Sequence, residues 1–139
     1  MTLDDTNCVL GDEMEPGPEL NRWTSLIIGA CIEVHRALGP GFLESVYEEA
    51  LAVEFTLRGI PFKKQVSVNI YYKEHTVGEH RLDFLVADKI VLELKAVTEI
   101  AVIHKAIVKS YLKATHQKLA LIVNFNVILL KDGIARIAL

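Results

Sequence analysis

The 139-residue chain has no uninterrupted apolar run approaching the roughly 18 residues of a membrane span. Its first residues are acidic instead of basic-then-apolar, so no secretory signal is readable and the expected location is the cytoplasm. Cysteine is scarce. Cys8 lies in a polar stretch and Cys31 in an apolar helical one, with no metal-ligand spacing around either, which argues for free thiols and against a disulfide framework. The chain also lacks a basic excess: its formal net charge is −3, which argues against a strongly cationic nucleic-acid binder. No internal repeat or low-complexity segment is present.

What is present is aliphatic. Hydrophobic residues make up 51% and charged residues 24%, the composition of a packed globular protein, and the length suits one domain. Charge is distributed unevenly. Residues 1 to 20 hold Asp4, Asp5, Asp12, Glu13, Glu15 and Glu19 and no Lys or Arg; six negative charges there, against −3 overall, leave +3 for the rest. With Pro16-Gly17-Pro18 and no apolar periodicity, residues 1 to 20 read as an acidic mobile leader, and 21 to 139 as a single folded domain. A mildly cationic body suits phosphate-bearing partners, and it is equally ordinary surface charge.

Helical spacing of Leu26, Ile27, Ala30, Cys31, Val34 and Leu38 predicts a first helix over Trp23 to Leu38, broken by Gly39-Pro40-Gly41. A second helix is expected over Phe42 to Arg58, capped by Gly59. Strand-like runs follow at Lys64 to Tyr72 and Glu79 to Val86, joined by a turn around Lys73-Glu74-His75, and then at Ile90 to Val97. A third helix over Ile100 to Thr115 leads to a strand at Leu119 to Phe125. A closing pair, Val127 to Leu130 and Ile134 to Ala138, turns at Asp132-Gly133. The order ααβββαβββ implies an α/β fold, a mixed central sheet flanked by helices, with the fourth strand entering by a crossover through the third helix.

Glu93 and Lys95 are the anomaly, two charges inside an apolar strand, where they are costly unless paired or holding something. Residues i and i+2 share a strand face, so both project together, away from Leu92, Leu94 and Ala96. Asp83 lies on the preceding strand. It joins them only if Asp83 opposes residue 93 or 95, which needs an odd-length connection between Ala87 and Ile90 or a bulge; a two-residue turn at Asp88-Lys89 would turn it to the other face. Two carboxylates beside an ammonium are hard oxygen ligands suited to Mg²⁺ or Mn²⁺ in phosphodiester hydrolysis. The competing reading is a buried Asp–Lys or Glu–Lys ion pair.

Asp83 and Glu93-Leu94-Lys95 on adjacent strands resemble the site of the PD-(D/E)XK nuclease superfamily. More narrowly, Gly39-Pro40-Gly41-Phe42-Leu43-Glu44-Ser45-Val46-Tyr47 resembles the signature of the GxxExxY protein family, with Gly41, Glu44 and Tyr47 as the matching residues. The likeness continues in order through Arg81-Leu82-Asp83, Glu93-Leu94-Lys95-Ala96, Tyr111-Leu112-Lys113 and Leu121-Ile122-Val123-Asn124-Phe125, over roughly residues 24 to 138. It implies a restriction-endonuclease-like core in which Asp83, Glu93 and Glu44 take the metal and Lys95 acts with Asp83 and Glu93 in catalysis. Tyr47 and Tyr111 support them. The chain departs from the family pattern at Ile107, where a Gln normally stands four residues before the tyrosine.

Glu44 stands at the edge of an apolar helix face, which fits a place in the site and fits equally a favourable position at a helix N-terminus. His104 falls on one helical stripe with Ile107 and Tyr111, either as a substitute polar contact or as a surface residue. Lys105, Lys109 and Lys113 form an i, i+4, i+8 row, read either as possible phosphate contacts or as a solvated face. Tyr71 and Tyr72 suit base stacking or packing. The leading expectation is thus a divalent-metal-dependent nuclease acting on DNA or RNA, without a membrane partner and working alone, as a homodimer or as a complex subunit. The alternative is a catalytically weak or inactive module of the same fold, acting in nucleic-acid binding, regulation or assembly.

Overall fold

The computed structural model describes residues 17–139. Helix α1 (Pro18–Leu38) begins five residues earlier than the periodicity predicts, inside the stretch read as leader. Pro18 is the reason: read as a breaker, it occupies the first helical turn, where its fixed φ and missing N–H cost nothing. The remainder of the leader, residues 1–16 with Cys8, lies outside the described residues. The helix ends at Gly39, whose φ of 73° suits only glycine, and Pro40 follows.

Helix α2 (Glu44–Arg58) stops as its sequence predicts. Gly59 is left-handed, its N–H bonds Thr56 O at 3.2 Å, and Ile60 N–H reaches back to Phe55 O at 2.9 Å, a Schellman closure with Ile60 buried beneath it. Strands β1 (Phe62–Tyr72) and β2 (His75–Val86) form a long hairpin whose two-residue turn has positive φ at Lys73 and Glu74. Strand β3 (Ile90–Lys95) pairs antiparallel with β2. Helix α3 (Val102–Thr115) then crosses over to β4 (Leu119–Asn124), which runs parallel to β3, and β5 (Ile134–Ala138) closes antiparallel on β4. The sheet order is β1-β2-β3-β4-β5.

Two apolar layers sandwich the sheet. On one face Leu92 and Leu94 of β3 and Leu121 and Val123 of β4 pack with Tyr47 and Phe55 from α2 and with α1. On the other, Val91, Ala120 and Ile122 pack against Val108 and Leu112 of α3. Alternation along β3 and β4 generates both cores from the same strands. Cys31 is a free thiol buried in the first. Among the described residues no helix is long and apolar enough to cross a membrane.

The sheet has five strands, one fewer than expected, because Val127 to Leu130 is not a strand. Residues 130–133 form a 3₁₀ turn (Leu130–Gly133), and β5 already occupies the β4 edge that a 127–130 strand would need. Two of its apolar side chains pack toward α1 instead, Leu130 buried and Val127 beside it, with His35 Nε2 2.8 Å from Val127 O, while Ile128 and Leu129 stay exposed. The return is tight. A Cβ on Gly133 would collide with the Asn124 carbonyl, so only glycine lets the chain pass the end of β4 this closely. Gly133→Ala should therefore lower stability by about 2–3 kcal/mol, the usual penalty for overpacking. In urea this appears as a midpoint shift of roughly 1–2 M with the slope unchanged; an unshifted midpoint would show that the loop relaxes freely.

Candidate active site

The site is set by the corner between β2 and β3. Ala87, Asp88 and Lys89 make a three-residue connection, with Ala87 and Asp88 left-handed at φ 55° and 56°, so Val86 opposes Ile90, Leu85 opposes Val91 and Phe84 opposes Leu92. This is the odd-length turn that the joining of the carboxylates requires. The next opposed positions are Asp83 and Glu93. There side chains replace the backbone ladder: Asp83 N–H donates to Glu93 Oε2 at 2.9 Å, and Leu94 N–H donates to Asp83 Oδ2 at 2.8 Å.

A second irregularity opens the other flank of Asp83. The pair Gln65/Asp83 is missing from the β1–β2 ladder, although Lys64 opposes Phe84 and Val66 opposes Leu82 on either side, and Gln65 has φ 53°. The strands turn over here. Phe62 and Phe84 pack in the α1/α2 core, whereas Val66 and Leu82 pack in the α3 core. The turnover gathers His80, Asp83, Glu93 and Lys95 on the α3 side, against strict alternation along β2.

From α2, Glu44 reaches the end of β3, where its carboxylate accepts a hydrogen bond from the Ala96 backbone N–H and feels the charges of Asp83 and Lys95. Glu48, one turn on, adds a further negative charge near Asp83. From α3, Tyr111 stacks on His80 with ring centroids 4.0 Å apart, and its hydroxyl lies 3.2 Å from His80 Nδ1.

Asn124 holds this end of the sheet. Fully buried, its Oδ1 accepts from Val97 N–H at 3.0 Å and Asn126 N–H at 3.2 Å, while its Nδ2 donates to Val97 O at 2.8 Å. The amide imitates a strand partner for the chain just past β3, and Phe125 N–H bonds Lys95 O at 2.9 Å. Lys95 and the Ala96 N–H that holds Glu44 are thereby fixed together.

Electrostatically the site is short of positive charge. Burial raises Glu93 to about 8, helped by the Asp83 charge and opposed by the Asp83 N–H bond and by Lys95. Burial also raises Asp83, against the pull of the Leu94 N–H bond, and raises Glu44, with Asp83 adding to the effect. Burial lowers His80, and burial with the Glu93 and Asp83 charges raises Tyr111. Lys95 makes no ion pair within 4.0 Å among the described residues. The buried ion pair that competes with a ligand-holding role in the sequence therefore has no direct contact here.

The donor set fits a divalent cation in chemistry: hard carboxylate oxygens, two of them anchored by backbone N–H groups, with an excess of negative charge. It is not a closed cage. Among the described residues no three His, Cys, Asp or Glu side chains stand together in metal-holding geometry.

Other sequence candidates fall outside this cluster. Tyr47 is buried, stacks on Phe125 at 4.5 Å, donates to Gly39 O at 2.6 Å and accepts from Phe42 N–H at 3.2 Å, so it braces the loop ahead of Glu44. His104 caps α3 by accepting from Ala101 N–H at 2.9 Å. Lys105, Lys109 and Lys113 are exposed and leave α3 on the side away from Tyr111, since residues two apart on a helix diverge by about 200° and residues six apart by about 120°. Glu48 and His80 were not among the candidates. Glu48 was legible as one helical turn from Glu44, whereas His80 was hidden by the turnover at Gln65.

A five-stranded mixed sheet between helices, with carboxylates and a lysine gathered on two adjacent strands, defines a restriction-endonuclease-like α/β protein. The chain belongs to the PD-(D/E)XK nuclease superfamily, whose family model matches residues 21–137. Neither a curated protein nor a solved structure gives a significant match.

Glu93 yields a test in metal-free buffer. Its folded pKa, about 8, lies above its ordinary 4.5, so the neutral form is favoured by folding. That stability is complete below the unfolded value and is lost as pH rises through the folded one. Urea unfolding with a chelator should lose on the order of a few kcal/mol between about pH 5 and 8, and Glu93→Gln should flatten most of that slope. Equal slopes for parent and variant would remove Glu93 as its source.

Proposed function

We propose that this protein is a divalent-metal-dependent nuclease of the GxxExxY type, hydrolysing phosphodiester bonds of DNA or RNA in the cytoplasm. The observation that carries the reading is the facing of Asp83 and Glu93 across the interrupted β2–β3 ladder, with Lys95 beside them and in no ion pair within 4.0 Å among the described residues. A lysine kept only to neutralise a carboxylate would touch it. Asp83 and Glu93 would hold the cation, with Glu44 assisting directly or through water. A bound Mg²⁺ or Mn²⁺ supplies charge neutralisation at the phosphoryl oxygens and lowers the pKa of a water. The Lys95 ammonium orients the attacking water toward phosphorus and steadies the phosphoryl oxygen as the bridging P–O bond opens.

Two observations favour a second reading, a nuclease-fold module without turnover. Ile107 stands, 40% exposed, where the GxxExxY resemblance expects a Gln, and the acidic side chains do not form a ready-made cage among the described residues.

Cleavage assays on single- and double-stranded DNA and RNA with Mg²⁺ or Mn²⁺ decide between them. The nuclease reading expects metal-dependent cleavage that Asp83→Asn and Lys95→Ala each reduce at least ~100-fold, with thermal stabilisation by Mn²⁺ in the parent that Asp83→Asn abolishes. Cleavage unaffected by both substitutions would sink it, and cation binding without cleavage of any substrate would favour the module.

A further inference from the structure

Helix α2 has two apolar faces. Tyr47, Leu51 and Phe55 are fully buried on one. On another, about 120° round the helix, Leu43, Val46, Ala50, Val53 and Leu57 recur at spacings of three, four, three and four, the seam of a helix that packs against a second helix. The ends of this seam face solvent, Leu43 and Leu57 each 76% exposed and Val53 60%, while at its middle Val46 is 37% exposed and Ala50 is half-buried with one side against the α1/α2 core. No charge interrupts it. Beside its C-terminal half lies a groove of about 290 Å³ lined by Glu49, Ala52, Val53, Thr56 and Leu57.

We propose that two copies of this chain associate through α2, antiparallel about a two-fold axis at Ala50. Read from that residue, the seam is Leu-Val-Ala-Val-Leu in either direction, so one copy presents to its twin the surface it receives, as an isologous contact requires. The smallest side chain stands at the crossing, where the helices approach closest, and the largest stand at the ends. The flanks do not repel. Glu49 is neutralised by Lys64 at 2.8 Å and Glu54 by Arg58 at 2.6 Å, so its acidic neighbours reach the partner already paired. The seam exposes on the order of 500 Å² of apolar surface per copy, near 1,000 Å² for the pair, about the minimum for a specific though weak interface. The assembly stands apart from the chemistry proposed above, since it needs none of the carboxylates of β2 and β3.

Sedimentation velocity of the full chain tests it. A reversible dimer is expected, half-formed at roughly 1–100 µM, with Leu57→Glu and Val53→Glu each weakening association at least ~100-fold while circular dichroism and thermal unfolding stay those of the parent. In a Cys8→Ser background, Ala50→Cys should oxidise to a disulfide-linked dimer, because only a crossing at this residue brings the two thiols within reach. A full chain that stays monomeric at about 500 µM overturns the proposal, as does a dimer that survives Leu57→Glu. So does a form beginning at Gly17 that dimerises while the full chain does not, since residues 1–16 would then be the occupant of the seam.

Discussion

Because the chain passes from β2 to β3 in three residues and not two, Asp83 opposes Glu93, and every other feature of the candidate site depends on that register. A shorter turn would move Asp83 by one position and send its carboxylate through the sheet into the α1/α2 core, among Phe84, Leu92 and Phe55, where nothing could solvate it. The left-handed pair Ala87 and Asp88 is thus more than a local oddity. Two non-glycine residues at positive φ are held there by what they connect: Lys89 N–H bonds Val86 O at 2.9 Å, and Ala87 N–H bonds Pro61 O at 2.9 Å, tying the corner to the segment that leads into β1.

Once the register is set, the electrostatics follow from burial. Glu93 is 5% exposed, and among the described residues no positive charge, Lys95 included, lies within 4.0 Å of its carboxylate. Two backbone N–H groups compensate part of the cost, one for each of Glu93 and Asp83, which is why the ladder is broken there instead of continued. The hydrogen bonds that the sheet forgoes are taken up by the carboxylates, so the interruption loses little. The rest of the cost appears as raised pKa values, burial and the neighbouring carboxylates favouring the neutral form of each group.

Much of this was legible in the sequence, and the limits of legibility have physical causes. The helix periods, the Gly59 cap, the β1–β2 hairpin and the crossover follow from local chemistry, and strand parity required an odd-length connection or a bulge before β3 if Asp83 was to share the face of Glu93 and Lys95. Alternation failed at Gln65 and Asp83, since a residue that turns left-handed inside a strand leaves no trace in a hydrophobic pattern; His80 was therefore hidden. The spurious strand at 127–130 arose because four apolar residues in a row fit a strand as well as a loop that packs only Val127 and Leu130 toward α1, and only the close approach at Gly133 distinguishes them. Pro18 misled in the opposite sense, since the same residue that breaks a helix inside it begins one at the first turn.

The α3 side of the site joins these threads. The superfamily match covers residues 21–137, yet the position four before Tyr111 that the resemblance fills with an amide is here Ile107, 40% exposed. Tyr111 is nevertheless not left without a polar partner: His80 meets it by both stacking and hydrogen bond. That histidine can stand there only because β2 turns over at Asp83, so the irregularity that frees the Asp83 flank from β1 also carries the imidazole to the tyrosine. The His80–Tyr111 contact and the opened Asp83 flank are consequently coupled through one backbone feature. Straightening β1 at Gln65 would remove the imidazole and disturb Asp83 in the same step.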